Sequence, residues 1–346
     1  MAAGAPRSAS DPALVAALAE PARKAPTRAR LLAGALVAAF VLGYPLVFDQ
    51  PYQQHVMIII FIYALMAQGW NVLAGYCGQI SLGHAVFFGI GAYASAFLFS
   101  TFQVTPWLGM VAGVAIAVAV AVAIGVPTLR LRGHYFAIAT LVIGEIGQTI
   151  FLNWEYVGGA TGIWIPIVRD QPWLVFQFHD SKLPTYYIAL GFLAAACLVV
   201  AWLERSKPGL YFRAIREEPD AARSLGVDVA RYKLLAFMLS AAFTAIAGTL
   251  YTQYILVIDP ETVFPLTLSI LVVLMTMLGG VGTLWGPIIG AAVLLPISEM
   301  TRIYFGGTGG AVDLMIYGAL IVAISIFYPK GLIGLIRKAL PERSDA

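Results

Sequence analysis

Charge is scarce in this sequence. Only 11% of its 346 residues are Asp, Glu, Lys or Arg, whereas 60% are apolar, and the mean hydropathy is +0.84. A soluble globular chain devotes about a quarter of its residues to charge, so too few charged side chains are present to cover a water-facing surface. The composition excludes a soluble enzyme, a disordered protein and a nucleic-acid-binding protein, and no nucleic acid is expected as a partner.

Cysteine and the common catalytic patterns are scarce as well. Cys77 and Cys197 are the two cysteines, and their separation gives neither metal-ligand spacing nor a disulfide framework, which predicts small core residues. The sequence contains no G-x-x-x-x-G-K-[ST], H-E-x-x-H or G-x-S-x-G pattern, and its four histidines show no ligand spacing. We therefore expect no catalytic site, no metal and no cofactor in this chain.

Long apolar stretches stand in place of the missing charge. Most reach the ~17 to 25 residues that a membrane-spanning helix needs, and they are continuous rather than alternating, which favours helices over barrel strands. The pattern predicts an all-α integral membrane protein with about ten, and at least eight, transmembrane helices between a tail over 1–30 and a tail over 329–346. The stretches are 31–48, 56–74, 84–102, 107–126, 134–152, 186–203, 234–258, 266–280, 284–301 and 313–328.

Basic residues are distributed unevenly between the connections. If the N-terminus is cytoplasmic, 18 of the 21 Lys and Arg residues fall on the cytoplasmic side and 3 on the other. Cytoplasmic segments carry such an excess, so both termini and the long loop 204–233 are predicted to be cytoplasmic. No convincing cleavage site follows the first stretch, which we expect to remain as an uncleaved anchor.

Two connections, 75–83 and 279–286, are uncharged and rich in glycine. At membrane depth, the N–H and C=O groups of irregular backbone need hydrogen-bond partners from the protein or from a water-filled cavity. Each connection is therefore either a tight turn at the inner surface or a break in a cavity-lining helix. Their comparable places in the two halves hint at an internal repeat. The first connection supplies substrate-path candidates, with close helix packing through small residues as the alternative. These candidates are Gly75, Gly78, Gln79, Ser81, Gly83 and His84.

One carboxylate lies near the middle of a predicted span. Glu145 falls within 134–152, where a charge costs at least ~2.5 kcal/mol, and an acid placed there is a candidate functional residue. It would either meet a substrate ammonium group or pair with a group of a partner subunit. The last two path candidates are Thr161 and Gly162, in the glycine-rich outer segment 158–162. This segment would form either a flexible gate or an ordinary turn.

The loop 204–233 is the longest connection on the predicted cytoplasmic side. Its apolar residues recur at spacings of three and four after the turn signal Pro208-Gly209, which indicates one or two short amphipathic helices along the inner face. The alternative from periodicity is a solvated basic loop held near anionic lipid headgroups, with membrane lipid as its partner.

Within this loop, Asp220-Ala221-Ala222 followed by Gly226 resembles the cytoplasmic E-A-A-x-x-x-G loop of ABC importer permeases. Asp220 replaces the usual Glu, and the Pro that often closes the motif is replaced by Met238-Leu239. Five further segments resemble the branched-chain amino acid permease family, in its M-type subunit, and the likeness extends over about 56–335. The segments are 75–85, 127–133, 213–217, 230–234 and 278–287.

The resemblance implies an assembly in a bacterial inner membrane. This subunit would pair with a homologous H-type permease above two cytoplasmic ATP-binding subunits, and a periplasmic substrate-binding protein would deliver leucine, isoleucine or valine. ATP hydrolysis would belong to the partners. A helix of loop 204–233 would seat in the ATPase through three arginines and four further residues, with Gly226 also expected as a helix C-cap. These coupling candidates are Arg213, Arg216, Asp220, Ala221, Ala222, Arg223 and Gly226.

Two other functions are compatible with the residues. The first is a permease of the same architecture for another small solute, such as urea, a short amide or an aromatic acid. The second is a self-contained membrane enzyme or an ion-coupled carrier, which would be active without partner subunits. Ion-coupled carriers bury several ionisable residues in their spans, and Glu145 alone lies near the middle of a predicted span, which favours the permease.

Overall fold

A computed structural model describes most of the chain between residues 39 and 305. The described residues are 39–48, 50–131, 133–178, 181–305, 315, 318–319 and 331–334. The predicted tail over 1–30 lies outside them, as does most of the predicted span 313–328 and most of the tail over 329–346. The chain divides into two compact units, Met1–Asp49 and Gln50–Ala346.

In the first unit, residues 39–47 form helix α1. Aromatic rings contact one another along the helix and just after it, edge-to-face for Phe40 and Tyr44 with ring centroids 5.7 Å apart, and tilted for Tyr44 and Phe48 with ring centroids 4.7 Å apart. These residues belong to the end of the predicted stretch 31–48, so the helical part of that prediction is confirmed where it is described.

The second unit is built from long apolar helices. The first of them continues into a π-helical turn, Asn71–Tyr76, hereafter the π turn. Its helices are α2 (Pro51–Trp70), α3 (His84–Phe102), α4 (Pro106–Thr128), α5 (His134–Asn153), α6 (Pro172–Val175), α7 (Leu183–Arg205), α8 (Lys207–Glu217), α9 (Pro219–Ser224), α10 (Val229–Ile255), α11 (Pro260–Val263), α12 (Leu266–Gly279) and α13 (Gly286–Phe305).

Seven segments among the described residues are long and apolar enough to cross a membrane. They are α2 with the π turn, α3, α4, α5, α7, α10 and the segment Pro260–Gly279 that contains α11 and α12. Each corresponds to a predicted apolar stretch, and the predicted helical membrane protein is confirmed. A shorter apolar helix over Gly286–Met300, within α13, contains Pro296 and matches the stretch that proline interrupts. The total of eight to ten spans stays a prediction.

Helices α3 and α10 pack closely at the centre of this unit. A Cβ added at Gly91 would overlap the carbonyl of Ala245, and one at Gly248 would overlap the carbonyl of Phe88. The hydroxyl of Thr249 donates to the carbonyl oxygen of Gly91 at 2.9 Å. Small residues at helix crossings allow backbones to approach in this way, so glycine here fixes the helix packing.

A pair of short strands ties the long connection after α5 to the end of α10. Strand β1 (Ile163–Trp164) pairs antiparallel with β2 (Val257–Ile258). The indole N–H of Trp107 at the start of α4 donates to the Trp173 carbonyl at 2.8 Å. The connection between α5 and α7 is therefore held at both of these places.

The predicted amphipathic helices of loop 204–233 are confirmed. Helix α8 buries Phe212 and Ile215, and its N-cap Ser206 accepts a hydrogen bond from the Gly209 N–H at 3.4 Å, which satisfies one of the unpaired donors at a helix start. The loop is therefore ordered into α8 and α9 rather than extended.

Helix α9 ends in a left-handed glycine. Gly226 has φ +85°, its N–H donates to the Arg223 carbonyl at 2.9 Å, and the Val227 N–H returns to the Ala222 carbonyl at 3.1 Å. This arrangement satisfies carbonyls of the last helical turn, and it confirms the predicted C-cap role of Gly226.

Candidate coupling and translocation site

Helix α8 is attached directly to the π turn. The guanidinium Nη1 of Arg216 donates a hydrogen bond to the carbonyl oxygen of Gly75. A Cβ on Gly78, which has φ +73°, would lie 3.1 Å from the Arg216 Cα, so this glycine lets the chain after the π turn cross close to α8. Arg216 therefore reaches back toward the membrane helices.

A second link joins the same elements through Glu204 at the end of α7. The Tyr76 hydroxyl donates to Glu204 Oε1 at 2.7 Å, and Arg213 Nη2 lies 3.9 Å from the same oxygen. The two arginines of α8 thus hold neighbouring residues of the π turn, Arg216 directly and Arg213 through Glu204. We call Gly75, Tyr76, Glu204, Arg213 and Arg216 the coupling clasp.

The π turn also holds the second glycine-rich connection. Fully buried Asn71 donates from Nδ2 to the Thr283 carbonyl at 2.9 Å and accepts from the Gly282 N–H at 2.8 Å. A Cβ added to Gly75 would lie 2.6 Å from the Gly282 nitrogen. The two glycine-rich connections therefore meet, through Gly75 and Gly282, beside Arg216.

The rest of the first connection is closely packed. His84 is fully buried and shares a 2.6 Å hydrogen bond between Nε2 and Ser240 Oγ. A Cβ on Gly83 would overlap the Thr140 carbonyl, and Ser81 is fully buried with its carbonyl accepting from the Trp70 indole at 2.8 Å. These contacts favour the packing interpretation for Ser81, Gly83 and His84, whose role in a substrate path stays a prediction.

Glu145 is exposed on the least covered of the candidate spans. Only 17% of the apolar window of α5 is buried, against 83% for α2 with the π turn. The exposed residues of α5 follow a helical spacing and place apolar side chains around the carboxylate. They include Tyr135, Ile138, Val142, Ile146 and Ile150. We call this surface the open face of α5.

Thr161 and Gly162 lie in a compact turn rather than in an open loop. The Thr161 hydroxyl donates to the Gly158 carbonyl at 2.7 Å, and a Cβ on Gly162 would overlap the Ile258 carbonyl. Gly162, with φ +71°, lets this turn approach β2. The geometry favours the ordinary-turn interpretation over a flexible gate.

Four of the five coupling candidates on α9 and just after it face outward. Asp220 and Arg223 form an exposed pair at 3.3 Å, Ala221 is exposed, and a Cβ on Gly226 would enter open space. Ala222 is buried and anchors the helix. Arg213 and Arg216 on α8 are exposed as well, but unlike the α9 candidates they belong to the coupling clasp.

Three residues of this region were not singled out from the sequence: Asn71, Tyr76 and Glu204. Asn71 lies inside an apolar stretch, and Glu204 borders another. Polar residues at such places were the available signal, because an unpaired polar group at membrane depth is costly. Their partners are distant in sequence, so the hydrogen bonds themselves were not predictable.

No group of three or more His, Cys, Asp and Glu side chains in the described part of the chain has a geometry that could hold a metal ion. The residues instead form a membrane-embedded bundle whose peripheral helices are connected to breaks between its spans. This arrangement is that of a helical membrane protein in which short helices outside the spans contact the breaks between them.

Residues 54–325 match the family model described as the branched-chain amino acid transport system / permease component, and the chain belongs to this family. The permease protein LivM of Escherichia coli is 32% identical over 306 residues, which are 82% of this chain and 71% of the relative. The permease protein LivH of Salmonella typhimurium is 28% identical over 79% of this chain and 91% of the relative. The nucleoside ABC transporter permease protein NupC of Lactococcus lactis is 26% identical over 51% of this chain and 60% of the relative.

Proposed function

We propose that this chain is the M-type permease subunit of an ATP-driven importer of branched-chain amino acids. In this proposal it lies in a bacterial inner membrane with both termini cytoplasmic and forms the translocation path with an H-type sister permease. Two ATP-binding subunits dock on α8 and α9, and a periplasmic binding protein delivers the amino acid. The uneven distribution of Lys and Arg supports the orientation, and the names of the LivM and LivH relatives support the substrate.

The coupling clasp is the observation that carries this function. An ATPase that moves α8 would pull on the Gly75 carbonyl through Arg216 and on Tyr76 through Arg213 and Glu204. Because Asn71 joins the π turn to the second glycine-rich connection, the movement would reach both breaks together. A contiguous network of this kind can pass a conformational change between sites.

The open face of α5 is the surface that we assign to the path. A carboxylate facing lipid is costly, so exposed Glu145 requires either a wet cavity or a partner group. A sister permease packed against this face would supply both. Glu145 would then meet the substrate ammonium group or pair with a group of the sister subunit.

Reconstitution tests the proposal. The chain is co-expressed with its sister permease and ATPases, placed in proteoliposomes and supplied with the binding protein and ATP, and uptake of leucine, isoleucine and valine is measured. We expect uptake from the complete complex and none from this chain alone. Uptake by the chain alone would instead identify a self-contained carrier.

The second candidate is the same architecture with another solute. The nucleoside permease among the relatives is named for a different substrate. Titrating the binding protein with leucine, a nucleoside, urea, a short amide and an aromatic acid separates these possibilities, because the binding protein would select the solute.

A further inference from the structure

A segment distant in sequence packs against the second glycine-rich connection. Residues 331–334 belong to the predicted cytoplasmic tail, and Gly331 lies directly against Gly280. A Cβ added at Gly331 would lie 2.7 Å from both the Cα and the nitrogen of Gly280. The contact is therefore between two backbones, with no room for a side chain. We call residues 331–334 the C-terminal brace.

The C-terminal brace is packed into the protein. Gly331 is buried and has φ +69°, a conformation that favours glycine, and the Gly334 N–H donates to its carbonyl oxygen at 3.0 Å. Ile333 is only 9% exposed, so its apolar side chain anchors the segment. Glycine at 331 thus serves both the local turn and the close approach to Gly280.

The residue that the brace contacts connects two helices. Gly280 directly follows α12, and its carbonyl oxygen accepts a hydrogen bond from the Thr283 hydroxyl at 2.7 Å. Oγ1 of Thr283 in turn accepts from the N–H of Gly286, the first residue of α13, at 3.1 Å. Thr283 therefore joins the end of α12 to the start of α13, and the position of Gly280 sets one end of this link.

The same connection is also held by the π turn. Asn71 bonds to Gly282 and Thr283 in the middle of the connection, whereas the brace contacts Gly280 at its start. A glycine-rich segment held at one place would absorb a displacement by local rotation, because glycine has wide freedom in φ and ψ. Held at two places, it would pass a movement of the π turn on to α12 and α13.

We propose that the C-terminal brace is a positioning element of the transport cycle. Gly331 holds Gly280 in place, so that a displacement of the coupling clasp moves α12 and α13 instead of being absorbed in the connection between them. In this role the brace acts through Gly280 and does not need to contact the transported solute. The transport part of this inference rests on the proposed function, whereas the holding of the connection can be measured without it.

Hydrogen exchange measures whether the brace holds the connection. The full-length chain is purified with its sister permease, and mass spectrometry follows the peptide 278–287, which contains the hydrogen-bonded amides of Gly280, Gly282 and Gly286. Gly331→Ala places a methyl group against the Gly280 backbone. Overpacking of this kind corresponds to exchange at least about tenfold faster in this peptide, while exchange in α3 should stay unchanged.

Gly133→Ala is the matched control, because Gly133 has φ +55° and nothing lies within 4 Å of its added Cβ. It bears the left-handed strain without the overlap and should leave exchange of 278–287 unchanged. Ile333→Ala loosens the brace without adding bulk, should accelerate this exchange about several-fold, and decides the question should Gly331→Ala fail to assemble. Unchanged exchange in the brace variants, or equal acceleration in α3 or in Gly133→Ala, would overturn the proposal.

Transport separates positioning from stabilisation alone. In the complete complex, the brace variants should hydrolyse ATP at the wild-type rate but carry about tenfold less leucine for each ATP. A purely structural role would lower the amount of complex and both rates together. An unchanged ratio in a variant whose peptide 278–287 exchanges faster would refute the positioning role. A wild-type complex that carries no leucine would instead contradict the proposed function, and the exchange experiment would still decide whether the brace holds the connection.

Discussion

Replacing Arg216 by Gln tests whether α8 transmits movement through the coupling clasp. The substitution removes the charged hydrogen bond to the Gly75 carbonyl but leaves the link between Tyr76 and Glu204 in place. Hydrogen bonds to charged groups contribute about 1.5–3 kcal/mol. Because Arg216 is itself exposed, we assign its hydrogen bond to Gly75 a smaller contribution of about 1–2 kcal/mol. This contribution corresponds to a factor of about 5 to 30 in the equilibrium that couples α8 to the π turn.

The assay measures leucine uptake and ATP hydrolysis together in proteoliposomes that contain the complete complex. We expect Arg216→Gln to assemble and hydrolyse ATP, but to transport about 5 to 30 times less leucine for each ATP. Arg205→Gln removes an equal charge at the end of α7, outside the clasp, and should preserve the wild-type ratio. An unchanged ratio in Arg216→Gln would refute transmission through this hydrogen bond, whereas loss of the ATPases would show that Arg216 acts in docking.

Three further predictions concern the path, the orientation and the docking surface. Glu145→Gln should lower uptake in an intact complex if the carboxylate meets substrate, or reduce recovery of the permease pair if it contacts the sister subunit, and normal values of both would exclude either role. A maleimide should label Asp170→Cys only from the periplasm and Ser224→Cys only from the cytoplasm, and the reverse pattern would contradict the orientation. The native thiol of Cys77 should not react, because burial raises its pKa to about 12. Gly226→Glu should lose the ATPases while Gly226→Gln, which bears the same left-handed strain without the charge, retains them, and equal behaviour of the two variants would assign the defect to the α9 turn.

The spanning helices were predictable because an apolar run of about 20 residues is a strong signal. The stretch predicted over 84–102 coincides with α3, His84–Phe102, and the one over 134–152 ends one residue before α5 does. The amphipathic spacing in loop 204–233 likewise predicted short helices, and the apolar residues Phe212 and Ile215 of α8 are indeed on its buried face. These features depend on local pattern, which the sequence carries directly.

The direction of the basic side chains was not predictable in the same way. Periodicity identifies the apolar face of α8, but Arg216 lies at the border of that face, and a long side chain there can point outward or reach back. The choice depends on the Gly75 carbonyl, whose position is set by the π turn and by the packing of Asn71 against Gly282. Such contacts between distant segments are decided by tertiary packing.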